Sequence, residues 1–374
     1  LSLFVVALLA LGCAGAASPA PAAQAASSRA ACPTLQPVYP AAGWERIERP
    51  ECAGWSTPGL DAVRQQLSTM ATTGFMAVVG GRVLTDYGDV QAISYLASVR
   101  KSILSMLYGI YVERGAIHLD ETLAQIGIDD HGGLTEEEKQ ATVRHLLMAR
   151  SGVYHPASNA GDDLASAPPH GSQRPGTYYL YSNWDFNALG GAFELMTGRN
   201  IYDALETDLV RPIGMQDWSR ALHRKSGDST RSRYLAYHMH FSTRDMARLG
   251  YLMLRKGRWN GREIVPADWV EESTRPFTPV GEMNPVRRRE GPFGYGYLWW
   301  VWDGPHATGP YRGAFAGHGA IGQHITVLPE LDLVVAHKTS PGQRDSTGRA
   351  LAVSHPQFLQ VLDVLVRARC GTRC

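Results

Sequence analysis

The residues best suited to chemistry are a serine and a lysine three positions apart, Ser98 and Lys101, in the tetrad Ser-Val-Arg-Lys. A serine hydroxyl is a poor nucleophile until a base takes its proton. Residues three apart share a face of a helix, so a helical segment here lets the hydroxyl and the amine touch. Lysine acts as that base only if its pKa falls from about 10.4 towards neutrality, and burial near the positive end of a helix dipole lowers it. The pair therefore predicts acyl transfer to Ser98.

Two later segments supply groups that the same chemistry can use. Tyr181 and Asn183 lie in Tyr-Ser-Asn, where a tyrosine can relay a proton to a leaving group and an amide can hold a substrate carbonyl. Gly317-His318-Gly319-Ala320 lets a substrate approach the backbone closely. A free N–H there, with that of Ser98, forms a candidate oxyanion hole. Taken singly, these segments also fit an aromatic core loop and a glycine-rich surface turn.

The elements that hold these residues follow from hydrophobic spacing. Ser98–Arg114 has apolar residues at helical intervals and on more than one side, which predicts a buried helix headed by the nucleophile. Before it, Phe75–Val79 and Arg82–Tyr87 flank Gly80-Gly81 and predict a β-hairpin. Further helices are predicted over 61–70, 135–150, 187–197, 201–210, 243–255, 266–273 and 357–369, and further strands over 295–301, 325–328 and 331–337.

Strands thus occur early and late in the chain, and helices occupy the middle. Hairpin-length turns favour an antiparallel sheet over βαβ repeats. The predicted fold class is α+β, an α/β sandwich with an antiparallel sheet flanked by helices and an inserted helical lobe. We place the sheet lobe at about 55–97 and 290–374 and the helical lobe at about 98–290, with the site in a cleft between the lobes.

Composition and motif searches narrow the partners. The 36 basic and 35 acidic residues leave a net charge of +1, so we expect no nucleic-acid partner but a small-molecule or peptide-like substrate. His238-Met-His240 lacks the further ligands of a zinc-binding pattern and no HExxH occurs, so we expect no metal and no cofactor. The absence of GxSxG argues against the α/β-hydrolase fold. We expect a monomer.

The N-terminal segment is typical of an export signal. Residues 1–11 form an apolar run too short to span a bilayer. We assign residues 1–13 to a signal peptide and 14–31, rich in Ala, Pro and Ser, to a disordered tether ahead of a catalytic domain at 32–374. Lipidation of Cys13 and ordinary cleavage near Ala14-Gly15-Ala16 both stay open. Either predicts an exported protein, periplasmic or attached to the membrane through a lipid on Cys13.

Export also permits disulfides. The four remaining cysteines lie near the ends of the mature chain and are predicted to staple it, with all three connectivities open: Cys32, Cys52, Cys370 and Cys374. No central cysteine is available to act as a nucleophile, so a thiol enzyme is not expected.

Taken together, the three segments resemble the serine β-lactamase and penicillin-binding superfamily: SxxK first, YxN second, and a His/Gly-rich triplet on a late strand. The tyrosine of the second motif points to the class C-like branch, since class A uses Ser-Asp-Asn. The resemblance spans about residues 55–365. That branch includes class C β-lactamases, D-Ala-D-Ala peptidases, family VIII esterases and 6-aminohexanoate-dimer hydrolases.

The resemblance implies a role for each residue of the first two motifs. Ser98 is acylated, Lys101 is the base or its partner, Tyr181 protonates the leaving group, and Asn183 orients the substrate. The implied activity is hydrolysis of an ester or amide, including a β-lactam, through an acyl-enzyme. The alternative is a penicillin-recognising binding or sensor protein that is acylated without turnover.

The third motif departs from the Lys-Thr-Gly of true β-lactamases. It aligns either as His318-Gly319-Ala320 or as Gly317-His318-Gly319, and counting back from Gly322-Gln323 favours the second, with Ala320 as the oxyanion donor. The missing lysine removes the cation that grips a substrate carboxylate, and this counts against strong β-lactamase activity. Lys338-Thr339-Ser340 mimics the motif but is expected to be a surface turn.

Overall fold

The computed structural model describes residues 1–5, 32, 34–371 and 374. It forms two units, Leu1–Thr34 and Leu35–Cys374, and the second holds every helix and strand given below. Residues 6–31, which include Cys13, most of the predicted signal peptide and all of the predicted tether, lie outside the described residues. Among the described residues, no helix is long and apolar enough to cross a bilayer.

The second unit alternates helices and strands. The α-helices are α1 Thr57–Ser68, α2 Val99–Glu113, α3 Leu123–Ile126, α4 Val143–Leu147, α5 Asn183–Thr197, α6 Ile201–Leu205, α7 Thr243–Leu254, α8 Ala267–Ser273 and α9 His355–Arg367. The strands are β1 Gly74–Val79, β2 Arg82–Gly88, β3 Ser94–Tyr95, β4 Arg224–Ser226, β5 Ala236–His238, β6 His240–Phe241, β7 Arg258–Trp259, β8 Arg262–Glu263, β9 Phe293–Tyr295, β10 Trp300–Trp302, β11 Phe315–Gly319, β12 Gln323–Leu328 and β13 Leu333–Lys338.

Seven of these strands form one antiparallel sheet in the order β2-β1-β13-β12-β11-β10-β9. The first two come from the early part of the chain and the other five from its late part, with α2 to α8 between them. The other strands pair as β3–β6, β4–β5 and β7–β8. This architecture confirms the predicted fold class, an antiparallel sheet flanked by helices with a helical segment inserted.

The central sheet is buried on both faces. Successive side chains of a strand point to opposite faces, and on β1 Phe75 and Ala77 join the core that includes side chains of α1 and α9. Met76 and Val78 face the other way, into the larger core built with α2, α5 and α7. As predicted, α2 is buried almost all round: all residues from Val99 to Tyr111 are buried. This burial provides the low-dielectric surroundings of Lys101.

Two sequence predictions of regular structure are wrong. The helix expected over 135–150 is a 3-10 turn, Glu138–Gln140, followed by α4, because Ala141 is extended and Thr142 starts a new capping box. The strand expected over 295–301 is broken into β9 and β10, with Leu298 at a left-handed φ of 63° between them. Hydrophobic spacing does not predict β11, whose two glycines lower its strand propensity; only the family resemblance placed the third motif on a late strand.

The expectation of a surface turn at Lys338-Thr339-Ser340 is also wrong. Lys338 is 1% exposed and Thr339 is 0% exposed. The Lys338 amine donates to the carbonyl of Ser94, 2.8 Å away, and to that of Phe241. Lys338 thus ties the end of β13 to the β3–β6 pair, and burial lowers its pKa to about 7. Its hydrogen bond to β3 makes it a structural residue that anchors the segment leading to Ser98.

The disulfides settle part of the connectivity that the sequence left open. Cys370 pairs with Cys374, with Cα atoms 5.4 Å apart. Cys32 and Cys52 are also disulfide-bonded.

Close packing of α2 against α8 gives a first prediction. A Cβ added at Gly109 would lie 2.3 Å from Cδ1 of Trp269 on α8, so Gly109→Ala forces the two helices apart. We expect the free energy of unfolding to fall by about 2 kcal/mol, measured by urea denaturation. Gly43→Ala is the matched control, because nothing lies within 4 Å of its added methyl. Equal stability of the two variants would contradict the described helix contact.

Candidate active site

Ser98 lies at the N-cap of α2, where a tight turn leads from β3 into the helix. The preceding residue, Ala97, has a φ of 48°, a left-handed conformation that costs a non-glycine residue about 1–3 kcal/mol. The turn is held by the Val99 amide, which donates to the Leu96 carbonyl, and by the Leu96 amide, which donates to that of Met239. The strained turn leaves the Ser98 side chain partly exposed at the head of an otherwise buried helix.

The Lys101 amine contacts three of the predicted groups at once. Its Nζ is 2.9 Å from Ser98 Oγ, 2.7 Å from the Tyr181 hydroxyl and 2.7 Å from Asn183 Oδ1. A neutral amine has two N–H donors and one lone pair. It can therefore donate to Asn183 and Tyr181 while accepting the Ser98 proton, which is the arrangement that a general base requires. The structure thus brings the first two motifs together.

The surroundings of Lys101 favour this neutral form. The residue is 1% exposed, and burial is the largest cause that lowers the pKa of Lys101 well below its ordinary value. The guanidinium groups of Arg100 and Arg288 lower it further, while Asp162 opposes them. Its three hydrogen-bond partners are all uncharged, so none of them offers a counterion to an ammonium group.

Tyr181 and Asn183 are each held in place. The Tyr181 ring stacks on Trp300 at 5.4 Å between ring centroids, and burial raises the pKa of Tyr181 to about 12, so its phenol is neutral at neutral pH. Asn183 begins α5, and its backbone N–H donates to Asp162 Oδ2 over 3.0 Å. Its Nδ2 donates to the Ala160 carbonyl, also over 3.0 Å, which turns Oδ1 towards Lys101.

The third motif lies on β11, beside the first turn of α2. A Cβ added at Gly319 would lie 2.5 Å from the Leu96 carbonyl oxygen and 3.1 Å from the Ser98 nitrogen. A Cβ at Gly317 would lie 2.9 Å from Ser102 Oγ. Both glycines are therefore required for the strand to pass this close to the nucleophile. Ala320 is exposed in the turn that follows β11.

His318, between these glycines, packs within an aromatic cluster. Its ring stacks on Trp300 with an interplanar angle of 17° and lies 4.2 Å from the ring of His355. Burial, reinforced by His355 and His324, lowers the pKa of His318 well below its ordinary value. His318 is therefore neutral at neutral pH and supplies no charge like that of lysine.

Sequence reasoning missed Arg288, which lies over the site. Its guanidinium is 5.5 Å from the Tyr181 ring centroid and 5.1 Å from that of Trp300. Its Nε donates to Asp163 Oδ2 over 2.6 Å. The only sequence signal was the basic run Arg287-Arg288-Arg289, a pattern that usually marks a solvated surface.

A cavity of about 570 Å³ lies beside β3 and is lined by residues of β3 to β6: Ser94, Tyr95, Arg224, Ser226, His238 and His240, together with Pro341. None of the predicted site residues lines it. His238 and His240, which the sequence analysis did not expect to bind a metal, pack their rings against Tyr95.

Comparisons with known proteins identify the family and the fold of this chain. Residues 60–352 match the Beta-lactamase family. An uncharacterized protein from Alkalihalophilus pseudofirmus is 23% identical over 268 residues, 64% of this chain and 71% of the relative. A structure described as a 6-aminohexanoate-dimer hydrolase from Bacillus anthracis superposes with a TM-score of 0.62 at 18% identity, covering 89% of this chain and 87% of the other.

Two further structures share the fold. A family VIII carboxylesterase has a TM-score of 0.57 at 15% identity, covering 84% of this chain and 99% of the other. A β-lactamase from Mycobacterium bovis has a TM-score of 0.56 at 21% identity, covering 82% and 99%.

The chain belongs to the Beta-lactamase family. This is a family of β-lactamase-like serine hydrolases with esterase and amidase relatives, as the resemblance of the three motifs predicted.

The charge of Arg288 gives a second prediction. Because Arg288 lowers the pKa of Lys101, Arg288→Met raises that pKa and leaves less free amine at a given pH. The acidic limb of kcat/KM for a p-nitrophenyl ester should therefore move to higher pH. Arg287→Met is the matched control, since Arg287 also pairs with Asp163 but is 65% exposed.

A limb that stays fixed in Arg288→Met, or moves equally in Arg287→Met, would show that the Arg288 charge does not tune Lys101. Arg288→Lys keeps the charge without the planar guanidinium, and its limb should stay near that of the parent protein.

Proposed function

We propose that this protein is a serine hydrolase of the class C-like branch that cleaves an ester or amide through an acyl-enzyme on Ser98. The observation that carries the proposal is the Lys101 amine, buried and within 2.9 Å of Ser98 Oγ, Tyr181 and Asn183. A lysine with a lowered pKa and three uncharged hydrogen-bond partners is suited to take a proton from serine. The same surroundings do not suit a structural ion pair, which needs a charged partner.

In the proposed first step, neutral Lys101 accepts the Ser98 proton as Oγ attacks the substrate carbonyl carbon. The negative charge that develops on the carbonyl oxygen is met by the backbone N–H groups of Ser98 and Ala320. Losing one such donor typically costs about 3 kcal/mol of transition-state stabilisation. The close passage of Gly319 beside the Ser98 nitrogen supports this pairing of donors.

In the second step, the bond between the carbonyl carbon and the leaving group breaks, and Tyr181 gives its phenolic proton to the departing oxygen or nitrogen. Protonated Lys101 returns a proton to Tyr181 across their 2.7 Å contact, so the pair ends uncharged. A pKa of about 12 suits this role because the phenol holds its proton until a strongly basic leaving group develops. Water then hydrolyses the acyl-enzyme with Lys101 and Tyr181 in reversed roles.

The third motif directs the substrate proposal. The family lysine that would grip a substrate carboxylate is replaced by Gly317-His318-Gly319, flanked by Phe293 and Trp300. We therefore propose uncharged acyl groups, on short-chain esters or linear amides, as better substrates than β-lactams or D-Ala-D-Ala peptides. Asn183 and the backbone of β11 would orient the substrate.

We also propose that the protein is exported and acts as a monomer, either free in the periplasm or attached through a lipid on Cys13. The Cys370–Cys374 disulfide supports an oxidising compartment. The near-neutral charge and the closely built site are in keeping with a small-molecule substrate.

The nucleophile gives a third prediction. Ser98→Ala should lower kcat for p-nitrophenyl butyrate by at least about 10⁴-fold, because no hydroxyl remains to form the acyl-enzyme. Ser105→Ala is the matched control, one of two further serines on α2, with a buried hydroxyl that has no hydrogen-bond partner. Retention of activity by Ser98→Ala would overturn the proposal.

Intact-mass measurement separates hydrolysis from binding. Mixing the enzyme with a fluorophosphonate should add one label that Ser98→Ala lacks. An acyl adduct with benzylpenicillin that persists, without turnover of any ester or amide in a parallel panel, would instead favour the penicillin-binding alternative.

The proton donor gives a fourth prediction. Tyr181→Phe keeps the ring that stacks on Trp300 but removes the hydroxyl. We expect kcat to fall by about 10²–10⁴-fold for alkyl esters and anilides, with KM little changed. The loss should be smaller for p-nitrophenyl esters, because their acidic leaving group departs with little protonation. An equal loss for both substrate classes would argue against leaving-group protonation by Tyr181.

A further inference from the structure

Three histidines from three separate elements converge behind the third motif. His318 lies on β11, its cross-strand partner His324 lies on β12, and His355 is the first residue of α9. One ring nitrogen from each lies within 4.8 Å of the other two. In the part of the chain that the structure describes, no other group of three His, Cys, Asp or Glu side chains meets this condition.

Five of the six ring nitrogens of this cluster are buried without a protein partner. Both nitrogens of His324 and of His355, and Nε2 of His318, are buried without a hydrogen bond. His324 is only 2% exposed, and a buried polar atom left unsatisfied costs about 1–3 kcal/mol. The neighbouring His337 behaves differently, since its ring bonds the Gly322 carbonyl at 2.6 Å and the Thr72 hydroxyl at 2.9 Å.

We propose that His318, His324 and His355 bind one divalent transition-metal cation, with Zn²⁺ as the preferred ion. Three imidazoles are a donor set that suits zinc, copper or nickel and does not suit magnesium or calcium. Zinc–nitrogen bonds of about 2.0–2.1 Å require the three nitrogens to lie closer together than they do here. His355, partly exposed at the start of α9, is the side chain best able to move inward.

The rest of the cluster holds two of these rings in position. The His324 ring stacks on Phe358 with centroids 4.0 Å apart and an interplanar angle of 8°. His318 is held between Trp300 and Phe293. Ligands whose orientation is fixed by packing lose little freedom on binding an ion, which favours affinity.

Three uncharged ligands leave the charge of the ion uncompensated, so a fourth ligand is expected. Burial lowers the pKa of all three imidazoles, so they are neutral at neutral pH and do not cancel the charge of a divalent ion. The nearby Arg288 is itself paired with Asp163. A fourth position filled by water or a small anion completes a tetrahedral site. The ion thus joins β11, β12 and α9 directly behind the strand that passes Ser98, and it brings positive charge to the motif that lacks a lysine.

The test is metal binding by the intact, tag-free protein after dialysis against a chelator. Titration with Zn²⁺ in competition with a chromophoric chelator should show one site of micromolar or tighter affinity. Co²⁺ should give the visible absorption bands of a tetrahedral site with nitrogen ligands. His355→Ala and His324→Gln should each weaken Zn²⁺ binding by at least about 100-fold.

Two further variants make the result specific. His306→Ala, which removes an exposed histidine outside the cluster, should bind Zn²⁺ like the parent protein. His355→Asp, which keeps a ligand at the helix start, should retain binding that His355→Ala loses. Absence of a stoichiometric site, or equal affinity in His355→Ala and the parent protein, would overturn the proposal. Because binding is measured directly, the result is independent of turnover at Ser98.

Discussion

The structure depends on keeping one lysine amine out of water without a counterion. Lys101 is 1% exposed and bonded only to uncharged groups, so the surrounding structure must bear the cost of its desolvation. Each unit by which a lysine pKa is lowered corresponds to about 1.4 kcal/mol, and a typical domain is stable by only about 5–15 kcal/mol. This explains why α2 is surrounded by helices on one side and by the sheet on the other: an exposed helix would restore an ordinary, protonated lysine.

The charges near Lys101 are arranged to keep it reactive. Arg100 and Arg288 disfavour the ammonium form, and each cation is held in place by a hydrogen-bond partner. Arg100 donates to Asn187 Oδ1 at 2.9 Å, and Arg288 pairs with Asp163. A mobile cation would be screened by solvent, whereas a fixed one next to a buried amine acts across a low dielectric. The Arg288 guanidinium also covers the Tyr181 ring. Arg288 therefore affects both the base, Lys101, and the proton donor, Tyr181.

How well the sequence predicted each site residue depended on how far apart along the chain the interacting residues lie. Ser98 and Lys101 could be predicted because both lie on one turn of a helix, where sequence spacing alone determines contact. Tyr181 and Asn183 could be predicted only from the order of the motifs, because they contact Lys101 from a distant part of the chain. Arg288 could not be predicted, because a run of basic residues does not indicate that its middle residue turns inward. Strand propensity did not predict β11 either, because the glycines that allow its close approach to α2 also lower that propensity.

The histidine cluster extends this argument to the third motif. On an antiparallel sheet, residues opposite each other on neighbouring strands share a face, so the histidine at the centre of the third motif, His318, lies beside His324. His355 approaches the same face only because α9 packs across the sheet. Local sequence patterns for metal sites depend on short spacings, and none exists here, which is why the sequence led us to expect no metal. The glycines flanking His318 bring its backbone close to Ser98, and its ring faces away into the cluster. One strand thus serves the nucleophile with its backbone and the three-histidine cluster with its side chain.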